Sequence, residues 1–221
     1  MTKKVHRYSS DSIDVTYDLN RCIHAEECVH GLPAVFDKAK RPWIQPANSN
    51  ADELAAVIER CPTGSLHYER KDNGSKETPD PVNTITLAVN GPLYVRGDIE
   101  IVSPDGGAII LKDTRVALCR CGNSQNKPFC DNAHIDAGFM ATDTLYAEST
   151  AEKNPSESPR LKITPQNNGS LMIEGNYILR NQARETLDEG SKVWLCRCGG
   201  SQKKPFCDGS HKKNGFKSVV N

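Results

Sequence analysis

The strings CRCGNSQNKPFCDNAH, residues 119 to 134, and CRCGGSQKKPFCDGSH, residues 196 to 211, constrain this chain more than any other feature. Each packs three cysteines and a histidine into sixteen positions, and the pattern CxCxxSxxxPFCDxxH holds in both. Soft donors at such short range point to a metal centre, held on loops by the elements that flank them. The likeness extends beyond the donors. GPLYVRGDIEI from residue 91 aligns with GSLMIEGNYIL from residue 169, both copies close on Gly-Phe at 138 to 139 and 215 to 216, and the offset stays at 77 to 78 residues. Self-similarity at a fixed period marks a duplicated structural unit.

In each copy apolar residues alternate: Leu93, Val95, Ile99 and Ile101, then Leu171, Ile173, Tyr177 and Leu179. This period of two predicts strands with one buried face, and a further strand (VALC, VWLC) leads into the cysteines. The expected fold class is α+β: a small N-terminal domain, then two duplicated, mostly β modules. These modules form small antiparallel sheets, and the copies pair about a pseudo-twofold axis so that each covers apolar surface the other cannot bury alone. Ahead of them, DVTYDL alternates like a strand. NADELAAVIERC reads as a helix with Leu54, Val57, Ile58 and Cys61 on one stripe, Asn50 and Glu53 as a capping-box variant, and Pro62 ending it just beyond the cysteine.

Apolar residues are 37% of the 221 and aromatics 6%, thin for one large core and suited to small units held by added constraints. The nine cysteines are an odd number, which argues against a closed disulfide framework and for thiols kept reduced as metal ligands. KDNGSKETPDP (71 to 81) and ESTAEKNPSESPR (148 to 160) read as linkers. They divide the chain into residues 1–70, 82–147 and 161–221, with three cysteines in each part. A net charge of zero supplies no field toward nucleic acid or an anionic membrane. No stretch approaches the ~18 apolar residues of a spanning helix, and no apolar run follows the basic N-terminus, so a soluble, cytoplasmic protein is expected. The glycosylation matches at Asn73 and Asn168 then carry no weight.

Two cysteines one residue apart can grip one iron from a tight turn, leaving a second iron to the later cysteine and histidine. Asp131 and Asp208 are placed to cap a helix N-terminus whose first turn presents His134 and His211, and backbone N–H groups there favour an anionic cluster. A structural zinc is the alternative, although paired zinc cysteines are usually two to four residues apart. A neutral imidazole ligand raises a cluster's reduction potential, and acid competes with iron for it. Lys203, Lys204, Lys212, Lys213 and Lys217 crowd the second copy, whereas the first has Lys127 offset by Asp131 and Asp136. The second centre is therefore expected to have the higher potential and to face an acidic partner.

These strings resemble the CDGSH, or NEET-type, family of iron-sulfur proteins over about residues 83 to 220. The second copy matches the signature fully, while the first carries Asn132 and Ala133 in place of Gly and Ser. Asn tolerates positive φ better than other substitutes for Gly, so the first site is also expected to fill. The resemblance implies two [2Fe-2S] clusters, one on Cys119, Cys121, Cys130 and His134 and one on Cys196, Cys198, Cys207 and His211. It also implies a monomer that internalises the family's homodimer. Arg120 and Arg197, each between two ligating cysteines, are expected to offset cluster charge.

RCIHAEECVHGLPAVF with RCPTGSLHY is similar to bacterial mono-cluster ferredoxins over about residues 13 to 70. That family's CxxCxxC and remote CP appear as Cys22, Cys28 and Cys61, with Ala25 at the middle position. Three thiolates imply a [3Fe-4S] cluster; a [4Fe-4S] cluster needs a fourth ligand from His24, Glu26 or solvent. His30 and His67 read as surface or packing residues. The implied function is one-electron transfer between redox partner proteins, with no catalytic motif and hence no enzyme activity, and with neither nucleic acid nor membrane as partner. Cluster donation or iron and redox sensing is one alternative, and a zinc-bound interaction module another.

Overall fold

The computed structural model describes residues 5–218. The chain divides into two compact units, Met1–Thr78 and Pro79–Asn221.

In the first unit, β1 (Val5–Ser9), β2 (Ile13–Asp18) and β3 (Leu66–Arg70) form an antiparallel sheet in the order β1-β2-β3. The central strand buries Ile13, Val15 and Tyr17 against Phe36, Ile44 and Leu66. After one turn of helix, α1 (Glu27–Gly31), the chain reaches α2 (Ala51–Ile58), whose Leu54, Val57 and Ile58 complete this core. The cap expected at Asn50 is present: its side-chain oxygen accepts from the Glu53 N–H at 2.9 Å, and the Glu53 carboxylate accepts from the Ser49 hydroxyl at 2.8 Å. The helix is shorter than its apolar stripe suggested. It ends at Ile58, and the Cys61 N–H donates to the Ile58 carbonyl at 3.0 Å in a following turn. Pro62 disfavours helical backbone at the residue before it, so Cys61 leaves the helix.

The second unit is built from β4 (Thr84–Leu87), β5 (Leu93–Val102), β6 (Ile109–Leu118), β7 (Leu161–Pro165), β8 (Leu171–Arg180) and β9 (Thr186–Leu195). A short helix, α3 (Ala133–Asp136), follows the first cysteine string. All the alternating residues singled out in β5 and β8 are buried. Separate antiparallel sheets do not form; one six-stranded mixed sheet does. The hairpins β5–β6 and β8–β9 are antiparallel within each copy, but the short strands cross between copies. β4 pairs antiparallel with β5 and parallel with β8, and β7 pairs antiparallel with β8 and parallel with β5. The crossings are equivalent, since Ile85↔Leu179 in one occupies the repeat position of Ile163↔Ile101 in the other. A four-residue strand buried mid-sheet would leave one row of polar backbone unpaired if it stayed with its own hairpin. Crossing satisfies both rows and merges the copies into a single core.

Residues 148–160 run along β8 and β9. The Ser149 hydroxyl donates to Asp188 at 2.6 Å, Lys153 pairs with Asp188, Glu152 bridges Lys192, and the Ser156 N–H donates to Asn176 at 2.7 Å.

Candidate metal centres

β6 and β9 deliver the cysteine strings directly. The Cys119 N–H donates to Pro128 O at 2.8 Å and Cys130 N–H to Ala117 O at 2.9 Å, so the loop folds back on the end of β6. In the second copy Cys196 N–H and Pro205 O, and Cys207 N–H and Trp194 O, repeat this clip at 2.8 and 2.9 Å. The serine of the string closes each loop from within: Ser124 and Ser201, both buried, donate to the carbonyls of Phe129 and Phe206 at 2.7 Å. Asn90 and Asn168 fasten the far end. Each takes a positive φ before a glycine and exchanges backbone and side-chain hydrogen bonds of 2.8 to 2.9 Å with Ala141 or Ser218, beyond the histidine. The sequence pattern includes these serines but assigns them no role, and Asn168 entered only as a glycosylation match. Their signal was recurrence in both copies, and the Asn-Gly dipeptide is a strong turn former.

The aspartates brace the histidine turns. Asp131 accepts from Ala133 N–H at 3.1 Å and Gln125 N–H at 2.7 Å; Asp208 accepts from Ser210 N–H at 2.9 Å and Gln202 N–H at 2.8 Å. Burial works to raise the Asp208 carboxyl, but these bonds and the Ser210 hydroxyl outweigh it and hold the group below its ordinary range. Asn132 has φ 71° where the second copy has Gly209 at 83°, so both copies need a left-handed residue at this place. The turn that follows is a short α-helix in the first copy and a 3-10 turn, Ser210–Lys212, in the second.

The four donors of each string meet as two pairs. Sulfurs of Cys119 and Cys121 are 3.7 Å apart, and Cys130 Sγ lies 3.5 Å from His134 Nδ1. In the second copy Cys196 and Cys198 are 3.9 Å apart, with Cys207 Sγ 3.5 Å from His211 Nδ1. Among the described residues no three such side chains gather around a single point as one ion would require. Donor pairs of this kind fit a centre with two metals, two donors to each. Backbone N–H groups already aim at the sulfurs, Asn123 at Cys121 (3.4 Å) and Asn132 at Cys130 (3.5 Å). Contact within each CxC pair pushes Cys119 and Cys196 up and pulls Cys121 and Cys198 down. Burial pushes Cys130 up to about 11, raises Cys207, and lowers His134 toward the neutral form that can ligate. A cation's charge is what would favour the thiolates in such surroundings.

Arg120 and Arg197 are almost wholly buried, at 2% and 1% exposure. Not all the lysines of the second copy belong to its solvent face. Lys203, Lys212, Lys213 and Lys217 are exposed, but Lys204 is buried, donates to Ser201 O at 2.6 Å and lies 5.9 Å from the Tyr146 ring centre.

In the first unit, Cys22, Cys28 and Cys61 line one cavity of about 350 Å³, floored by Tyr17, Trp43 and Leu66. Burial, with Cys61 and Cys22 beside it, pushes Cys28 up to about 11. Ala25 also lines this cavity. Of the fourth donors considered, His24 Nδ1 lies 3.9 Å from Cys22 Sγ, whereas Glu26 is paired with Lys38 and His30. His30 is exposed beside Glu26, and His67 lies 3.2 Å from Glu77, in keeping with surface and packing roles. Among the described residues no helix is long and apolar enough to cross a membrane.

Comparison with known proteins agrees with this division. Residues 8–71 match the family described as a divergent 4Fe-4S mono-cluster. Residues 90–135 and 168–212 each match the iron-binding zinc finger of CDGSH type. Two curated relatives, both called uncharacterized protein YjdI, from Escherichia coli strain K12 and from O157:H7, are 34% identical over 64 residues, covering 29% of this chain and 84% of each relative. No solved structure matches significantly. The chain thus belongs to the CDGSH iron-sulfur family, with two motifs in one chain behind a divergent mono-cluster ferredoxin-like domain.

Proposed function

We propose that this protein carries single electrons between redox partner proteins and turns over no substrate of its own. The observation that carries the reading is the grouping of each CDGSH quartet into two close donor pairs. Cys119 with Cys121, and Cys130 with His134, would hold one [2Fe-2S] cluster; Cys196 with Cys198, and Cys207 with His211, would hold the other. Each cluster supplies a one-electron couple when bound. Cys22, Cys28 and Cys61 would hold a [3Fe-4S] cluster, with Ala25 at the corner that lacks a ligand. The 3.9 Å approach of His24 to Cys22 favours, as a second reading there, a [4Fe-4S] cluster with His24 as fourth ligand.

The chain's own residues do the rest. Asp131 and Asp208 fix the histidine turns, the loop serines hold the strings closed, and N–H groups accommodate negative charge at the sulfurs. The exposed Lys203, Lys212, Lys213 and Lys217 give the second centre a face for an acidic partner. The equivalent strand crossings support a pseudo-twofold axis and a monomer that contains its own dimer. We place the domain boundaries at 1–70, 82–147 and 161–221, and the protein in the cytoplasm, acting on neither nucleic acid nor membrane.

The competing role is cluster donation, favoured by the partial solvent exposure of His134 and His211. Mixing reduced holo-protein with an apo-ferredoxin and with an oxidised holo-ferredoxin separates the two. Rapid oxidation by the holo-acceptor with iron and sulfide retained is the expected result; transfer of iron and sulfide to the apo-acceptor would replace electron carriage with donation.

A further inference from the structure

The two metal-binding strings of the second unit touch. Gly122 and Gly199, each in a CxCG turn, take positive φ, 85° and 76°. A Cβ on Gly122 would stand 2.8 Å from Cys198 O, and one on Gly199 would stand 2.5 Å from Cys121 O. The turns therefore abut, backbone to backbone. Within its own copy, the tail beyond each histidine is held by the arginine between the first two cysteines. Arg120 donates to Thr142 O at 2.9 Å and faces the Phe139 ring at 5.9 Å, while Arg197 faces the Phe216 ring at 5.3 Å.

From those anchors each tail reaches the opposite string. Tyr146, in the tail of the first copy, donates its backbone N–H to Lys204 O at 2.8 Å and sets its ring centre 5.9 Å from Lys204 Nζ. Phe216, in the tail of the second copy, lies 5.9 Å from Lys127 Nζ. Lys127 and Lys204 hold the same place in the repeat, before the proline and between the second and third cysteines. Each donates to the carbonyl of its own string's serine, Lys127 to Ser124 and Lys204 to Ser201 at 2.6 Å. Lys204 is only 8% exposed, and neither lysine has a carboxylate partner among the described residues. A single carbonyl meets only part of an ammonium's donor capacity, so a ring face supplied by the other copy is what favours keeping the cation folded into its loop. Tyr146 is itself 43% exposed and caps Lys204 without filling a core.

We infer that Tyr146 and Phe216 are positioning residues for the opposite copy's centre: Tyr146 braces the loop between Cys198 and Cys207, and Phe216 the loop between Cys121 and Cys130. The inference rests on the reading of both sites as [2Fe-2S] centres. In each string that loop joins the donor pair of one metal to the donor pair of the other, so its shape sets how the two pairs face each other. A lysine released to water gives up the serine carbonyl and loosens the loop, as loss of an outer contact loosens the ligands it orients. Each centre thus keeps its cluster with the help of a copy that supplies none of its ligands.

The test is the rate at which each centre loses its cluster to an iron chelator, read as decay of the reduced [2Fe-2S] EPR signal of the full chain. Cys130→Ser empties the first centre and leaves the second to be followed alone; Cys207→Ser does the reverse. With only the second centre filled, Tyr146→Leu is expected to speed loss about fivefold, the scale of one cation–ring contact, and Tyr146→Phe, which keeps the ring, to restore most of the parent rate. With only the first centre filled, Tyr146→Leu should change the rate less than about twofold, whereas Phe216→Leu should speed it. If an emptied chain does not load, His134→Cys gives the first centre an all-thiolate signal that separates the two with both filled, and the same rates are compared. No change at the second centre, an equal or larger change at the first, or a Tyr146→Phe rate matching that of leucine would overturn the role of Tyr146. An unchanged first centre in Phe216→Leu would overturn the reciprocal brace. Iron and sulfide analysis of the parent protein comes first, because material lacking both would instead remove the reading of the sites beneath it.

Discussion

Single residues around the strings separate into those that conformation demands and those that space demands. Gly199 and Gly209 both have positive φ, yet a Cβ on Gly209 meets nothing within 4 Å while one on Gly199 meets Cys121 O at 2.5 Å. Gly209→Asn should therefore cost less than about 1 kcal/mol, as Asn132 already serves at that place in the first copy. Gly199→Ala combines left-handed strain of about 1–2 kcal/mol with a backbone overlap that forces the two turns apart. Thermal unfolding with cluster absorbance as readout checks both, and equal losses for the two variants would contradict the account. The need for a left-handed residue at 132 and 209 was legible, because Asn replaced Gly within an otherwise repeated string. The crowding at 122 and 199 was not, since it comes from residues about 77 positions away in the other copy.

At the level of elements, β5 and β8 were legible because burial alternates along nearly the whole of each strand, from Leu93 to Ile101 and from Leu171 to Leu179. The exchange of β4 and β7 was not. Nothing in TITL or LKITP says which hairpin the strand joins. The exchange predicts cooperativity. Ile85→Ala, which empties a fully buried position beside Leu179, should cost about 2–5 kcal/mol and release both CDGSH centres in one transition. Two separable losses of absorbance on a urea titration would contradict it.

The small sheet of the first unit makes a prediction in acid. Lys71 and Arg7 hold the Asp14 carboxyl at about 2, below its ordinary 3.8, through contacts of 2.8 and 2.5 Å, and Arg7 also reaches Glu69 on β3 at 2.7 Å. A carboxyl with a depressed folded-state value binds its proton more readily when unfolded. Its stabilisation is therefore complete above about pH 4 and is lost as pH falls toward 2. Asp14→Asn should flatten that part of the stability curve. Trp43 fluorescence in a Trp194→Phe background reports on this unit, and an unchanged acid slope would count against the assignment.

For the whole molecule, the repeat legibly implied duplication, and the cysteine spacing implied paired donors, because ligand chemistry is local in sequence. What stayed hidden was how the copies become one body, through the crossed strands, the abutting glycines and the length of chain laid along β8 and β9. The two copies share a frame but differ in surface: exposed lysines flank His211, whereas exposed Ile135 and Met140 lie near His134. Separate titration of the two centres should accordingly give the second the higher midpoint, and equal midpoints would contradict that asymmetry. The central claim, that each twin quartet holds a sulfide-bridged pair of irons, is tested most directly by iron, zinc and acid-labile sulfide analysis of full-length protein purified without oxygen, alongside EPR of the reduced form. The account predicts iron and sulfide in equal amounts at both CDGSH sites, with a reduced [2Fe-2S] signal that is lost with His134 and His211. Stoichiometric zinc with neither sulfide nor signal would contradict it.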